Sequence, residues 1–156
     1  MSPYEELLNN AYKSNVTVIE DYAFQSKRIK GLYCDNVIAL NKEITNEAEK
    51  NCILAEELGH HYTSTGIIVD TNDLNNSKQE YKARVWAYDK QIGIQGLIDA
   101  FEYGCRNKHE IADFLEVTEE FLQDAIASFE SKYGYYTIYN KYAIYFSPYM
   151  HILKMF

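Results

Sequence analysis

Glu56, Glu57 and His60 are the residues whose types and spacing could do chemistry. They lie in Leu54-Ala-Glu-Glu-Leu-Gly-His-His61, inside a helical run expected from Asn46 to about Thr63. Glu56 and His60, four apart, project from one helix face, about 40° apart in rotation and about 6 Å along the axis. Glu57 lies about 100° round from Glu56, on the flank of that face. Two ligands at i and i+4 with a Glu beside the first is the layout of the H-E-x-x-H helix, which holds a divalent ion and activates water. Here a Glu stands where the first His would be.

A catalytic zinc needs three protein ligands, one open position, and a carboxylate near its water. Glu56 and His60 can supply two ligands, so the third must come from an element that crosses their helix. Glu80, opening the next helix, is the best placed if the two helices run antiparallel. Glu57 is then the general base that takes a proton from metal-bound water as it attacks a carbonyl. The bland reading is a solvated helix face of Glu and His pairs. His61, 100° round from His60, reads as a buttressing or surface residue rather than a ligand; His109 begins a polar helix and His151 lies in the tail, and either could reach the site. No Ser/His/Asp or Cys/His arrangement and no phosphate-cradling Gly loop competes with this site.

The elements that must position these residues can be read from local signals. Ser2-Pro3 starts a helix reaching about Lys13. Val16–Ile19 is a short strand or the lead-in to another helix. Across Lys30–Leu40, two short apolar runs flank Asp35-Asn36, residues that tolerate the left-handed conformation, so a β-hairpin is expected just before the key helix. Thr45 or Asn46 caps that helix, and Ala48, Cys52, Leu54, Ala55, Leu58 and Gly59 supply its buried surfaces. Gly59 costs roughly 1 kcal/mol against Ala and makes sense where another backbone must come close. Asp70–Ser77 reads as a polar loop and Lys78–Gln91 as the next helix. Helices follow at about Ile94–Tyr103, His109–Leu115 and Glu119–Tyr133, with Gly104, Thr118 and Gly134 as their stops and caps. The Tyr-rich tail from Tyr135 reads as extended, an edge strand or an arm over the core.

The fold class is therefore α+β and mostly helical: a small N-terminal sheet, a C-terminal helical pair and an extended tail. One domain is expected over 1–156, with its core at about 1–92, a helical part at about 93–134 and the tail at 135–156. The net charge of −8 argues against nucleic acid or an anionic membrane as partner. The last two helices resemble a helix-turn-helix, yet from Cys105 to Gly134 three basic residues face seven acidic ones, which repels phosphate. With no secretory leader pattern and no apolar stretch near 18 residues, a soluble cytoplasmic protein is expected. Cys34, Cys52 and Cys105 lack metal spacing and read as small buried hydrophobes.

Leu54-Ala-Glu-Glu-Leu-Gly-His-His-Tyr-Thr63, followed by Glu80-Tyr-Lys-Ala-Arg-Val-Trp-Ala87, resembles the ImmA/IrrE family of phage and mobile-element metallopeptidases. The resemblance runs from the N-terminal helix through the Ile111–Gly134 helical pair. It implies a zincin-like core, metal ligands at Glu56, His60 and Glu80, and the base at Glu57. The family's Glu-x-x-Ala-x-x-(aromatic)-Ala pattern is met by Glu80, Ala83, Trp86 and Ala87. It also implies a protein substrate, a helix-turn-helix repressor of a phage or mobile element, which such proteins cleave or antagonise. The alternative is an inactive binding module of the same fold that acts by protein contact alone. Glu56 is a harder, charged ligand, so the set holds one divalent ion, with zinc favoured and Mn²⁺ or Fe²⁺ more competitive than in a two-His site. Like charges at Glu56, Glu57 and Glu80 would cost stability without the cation, making stability metal-dependent.

Overall fold

A computed structural model of the chain describes residues 1–64 and 73–155, and the features below refer to these. They fall into two compact units, Met1–Lys90 and Gln91–Phe156. The architecture is α+β and mostly helical, with two small three-stranded sheets.

The first unit opens with α1 (Pro3–Lys13), where Ser2 forms a capping box with Glu5. β1 (Thr17–Tyr22), β2 (Gly31–Cys34) and β3 (Val37–Asn41) follow in the order β1-β3-β2. The expected hairpin is β2–β3, and its two-residue turn places Asp35 at φ 51° and Asn36 at φ 66°, the left-handed pair that such a turn demands. β3 is central, parallel to β1 and antiparallel to β2.

α2 (Glu47–Thr63) packs on β2 and β3, and α1 packs on α2 and β1. Asn46, one of two expected caps, accepts from the Glu49 N–H, and Glu47 and Glu49 complement the positive helix end. The strand period of two sends Ile38 and Leu40 inward, fully buried, while Leu32 and Val37 on the other face stay exposed. Cys34 shares that outer face with Leu32, so it is exposed rather than buried as the sequence suggested; Cys52 and Cys105 are buried.

α3 runs Asp73–Gln91. Its first five residues were expected in the polar loop, but no Gly or Pro interrupts 73–77 and the helix extends through them. Glu80 therefore lies in its second turn rather than opening it, while residues 70–72 of that loop lie outside the described residues.

The second unit holds α4 (Gly93–Tyr103), α5 (Lys108–Leu115) and α6 (Glu119–Tyr133). Gly104 closes α4 at φ 113°, and Gly134 follows α6 at φ 89°. Thr118 caps α6 by accepting from the Phe121 N–H at 3.1 Å. Thr118→Ala should cost about 1 kcal/mol; an unchanged unfolding midpoint in urea would show the cap idle.

The tail is no single arm. It folds on itself as β4 (Tyr136–Tyr139), β5 (Tyr142–Tyr145) and β6 (His151–Lys154), an antiparallel sheet with β5 central. Asn140 at φ 54° turns β4 into β5, and Tyr142, Ala143 and Ile144 are buried. Among the described residues, no helix is long and apolar enough to cross a membrane.

Candidate metal centre

Four consecutive residues near the end of α2 face different neighbours, and this fixes the direction of each. Gly59 lies against α3: a Cβ there would sit 2.2 Å from the Ala83 carbonyl oxygen and 2.9 Å from its carbon. Only a residue without a side chain lets the two backbones cross so closely. One helical turn before Ala83, Glu80 meets His60, with Nε2 to Oε1 at 3.3 Å. His61 turns to the sheet, where its Nδ1 is 2.8 Å from Tyr33 Oη. Tyr62 stacks on Trp86 of α3 at 5.0 Å, while its hydroxyl bonds Ser14 Oγ and reaches the Asn10 carbonyl at the end of α1. Thr63 Oγ1 donates back to the Gly59 carbonyl at 2.7 Å, closing the helix end. The last turns of α2 are thus held against α1, β2 and α3.

Glu57 occupies the flank facing β2. Its carboxyl is pushed up from the ordinary 4.5 to about 7, first by burial and then by the negative charges of Glu80 and Glu56. The Tyr33 backbone N–H hydrogen-bonds the carboxylate and opposes the shift. Gly31 makes room for this contact: a Cβ there would lie 2.7 Å from Ile53 Cγ2 and 3.2 Å from Glu57 Cγ. Glu57 is therefore a carboxyl poised to exchange a proton near neutrality, as a general base must.

The donor chemistry fits a divalent ion in part. Two ligands bound at about 2.1 Å to one tetrahedral ion are about 3.4 Å apart, which matches the 3.3 Å between His60 and Glu80. The electrostatics of Glu57 put Glu56 and Glu80 in the same neighbourhood, both raising its carboxyl. Among the described residues, no three His, Cys, Asp or Glu side chains converge as a complete ligand set. The structure thus joins His60 to Glu80, sets Glu57 beside them and leaves Glu56 near but outside the close pair. His109 and His151 have partners within the second unit: His109 lies between Asp113 and Glu119, and His151 stacks on Tyr145 at 4.7 Å.

Tyr33 and Gly31 were not foreseen as part of the site. Gly31 carried the available signal, since a glycine inside a strand marks a close approach. Tyr33 carried none, because its role depends on β2 lying beneath α2.

Compared with known proteins, the chain matches one family model, Peptidase_M78, described as the IrrE N-terminal-like domain, over residues 11–126. No curated protein and no solved structure gives a match.

Proposed function

The chain belongs to the Peptidase_M78 family, and from that premise we propose that it is a metal-dependent endopeptidase built on a zincin-like core. The observation that carries this reading is the His60–Glu80 pair at 3.3 Å, joined across two helices beside a carboxyl raised to about 7. His60, Glu80 and Glu56 would hold one divalent ion, zinc by preference. When bound, the ion supplies a Lewis acid that polarises the scissile carbonyl and makes water more acidic. Glu57 takes the proton of the attacking water and delivers it to the leaving amine. Tyr33 holds that carboxylate through its backbone N–H, and His61, tied to the Tyr33 hydroxyl, keeps β2 in place beneath α2. The proposed substrate is a repressor-like protein of a phage or mobile element, cut in the cytoplasm; its helix-turn-helix class comes from the sequence resemblance.

The test is metal content by mass spectrometry, on protein purified without an affinity metal, wild type beside His60→Ala. Near one equivalent of Zn, Mn or Fe in wild type, lost in the variant, is the expected result. A wild-type chain that carries no ion, and takes none up from Zn²⁺ or Mn²⁺ solutions, would overturn the reading.

A further inference from the structure

The second unit has a surface groove of about 540 Å³ between the ends of α4 and α5. Two aromatic rings stand in it: Tyr103, 76% exposed, and Phe114, 36% exposed, with centroids 4.8 Å apart. A ring as open as that of Tyr103 contributes little to a core, and with the exposed edge of Phe114 it offers an apolar surface to a partner. Glu110, Asp113 and Glu116 bring carboxylates to the same groove, and among the described residues its lining includes no Lys or Arg. α5 ends there, so its negative helix end adds to the field of the carboxylates; the end of α4 is met by Arg106, whose Nη1 donates to the Phe101 and Cys105 carbonyls at 3.2 and 2.9 Å.

Glu116 sharpens the case. It caps α5 at φ 57°, in the left-handed region where glycine is the cheaper residue. The chain thus carries a carboxylate at a position whose backbone would prefer none. Asn107 Nδ2 donates to Glu110 Oε1 at 2.8 Å, and His109 Nε2 lies 3.3 Å from Asp113 Oδ2.

We propose that this groove docks an arginine-bearing segment of a partner protein. A guanidinium is flat, weakly hydrated and always charged, so it can lie on the Tyr103–Phe114 surface while its N–H groups reach the carboxylates. A lysine ammonium satisfies the charge but not the flat face, which orders the two ligands. The assignment does not depend on the peptidase reading, because it concerns binding in the second unit alone.

The experiment is fluorescence anisotropy of a labelled peptide alternating Arg and Gly, titrated with the full chain in the presence of a chelator. Wild type should bind it, and bind the Lys-for-Arg peptide more weakly. Tyr103→Ala and Glu116→Gly should each weaken binding roughly fivefold or more. Glu116→Gly removes the carboxylate and supplies the residue that the left-handed φ favours, and its urea midpoint, expected within error of wild type or above it, separates lost docking from lost fold. Asp124→Asn, an equal charge change at an exposed position on α6 outside the groove, should leave affinity within about twofold. The proposal is overturned if wild type does not bind, if neither groove variant changes affinity, or if Asp124→Asn weakens it as much as Glu116→Gly. Because the chelator is present throughout, failure here leaves the metal reading standing, and failure of the metal reading leaves this one.

Discussion

Glu57→Gln is expected to stabilise the ion-free chain by up to about 3 kcal/mol at pH 8. The folded state raises this carboxyl from 4.5 to about 7. Below 4.5, native and unfolded chains both hold the proton and the native state keeps its full advantage. Between 4.5 and 7 the unfolded chain releases the proton first, so native stability falls as pH rises. Above 7 the contribution is gone, and a buried anion beside Glu80 and Glu56 remains. Gln is neutral at every pH and can still accept the Tyr33 N–H, so the variant should lose this slope. Chemical denaturation of chelated wild type and variant from pH 4.5 to 8 makes the check. Parallel stability curves would mean that Glu57 is not held as described. On the peptidase reading, the same substitution should lower peptide hydrolysis by about 10²–10⁴-fold while bound metal is retained. Added metal should flatten the wild-type slope as well, because a cation offsets the neighbouring charges.

The second large effect is expected at Gly59. Its missing side chain is the space in which the α3 backbone lies, with the Ala83 carbonyl oxygen 2.2 Å from where a Cβ would be. Alanine is the better helix former by about 1 kcal/mol, yet here it must push two buried helices apart. Gly59→Ala should therefore destabilise by about 3 kcal/mol or more. It should also draw Glu80 away from His60, since that pair sits one turn from the crossing. Thermal melting together with metal content of the purified variant tests both parts. A variant that melts as wild type does and keeps its ion would show that the helices do not cross here as closely as described.

What the sequence made legible was local. The Asp35-Asn36 turn, the Asn46 and Thr118 caps, the Gly104 and Gly134 stops and the close approach at Gly59 each follow from one or two residues whose backbone needs are narrow. The pairing of His60 with Glu80 was also within reach, because i, i+4 geometry and a returning helix were enough to suggest it. What stayed hidden depends on two distant segments meeting in register. Tyr33 and Gly31 belong to the site because β2 lies under α2, and no spacing within either segment carries that fact. Residue type alone puts Cys34 in the core, but strand alternation sends it outward with Leu32. The alternating residues of the tail announce extended chain without saying that three strands pair with one another. At 73–77 polar composition suggested a loop, but helix continuity prevailed over weak individual propensities.

The crossing at Gly59 also has a genetic consequence. Most tight side-chain contacts can be repaired from the other side, a larger residue here answered by a smaller one there. At this position the opposing group is the carbonyl of residue 83 rather than its methyl, and every amino acid brings the same carbonyl. Shrinking Ala83 to Gly would therefore not restore a chain broken at Gly59. In a selection for revertants of Gly59→Ala, true reversion should outnumber changes at Ala83, and any suppressors should lie where α3 can be displaced as a whole.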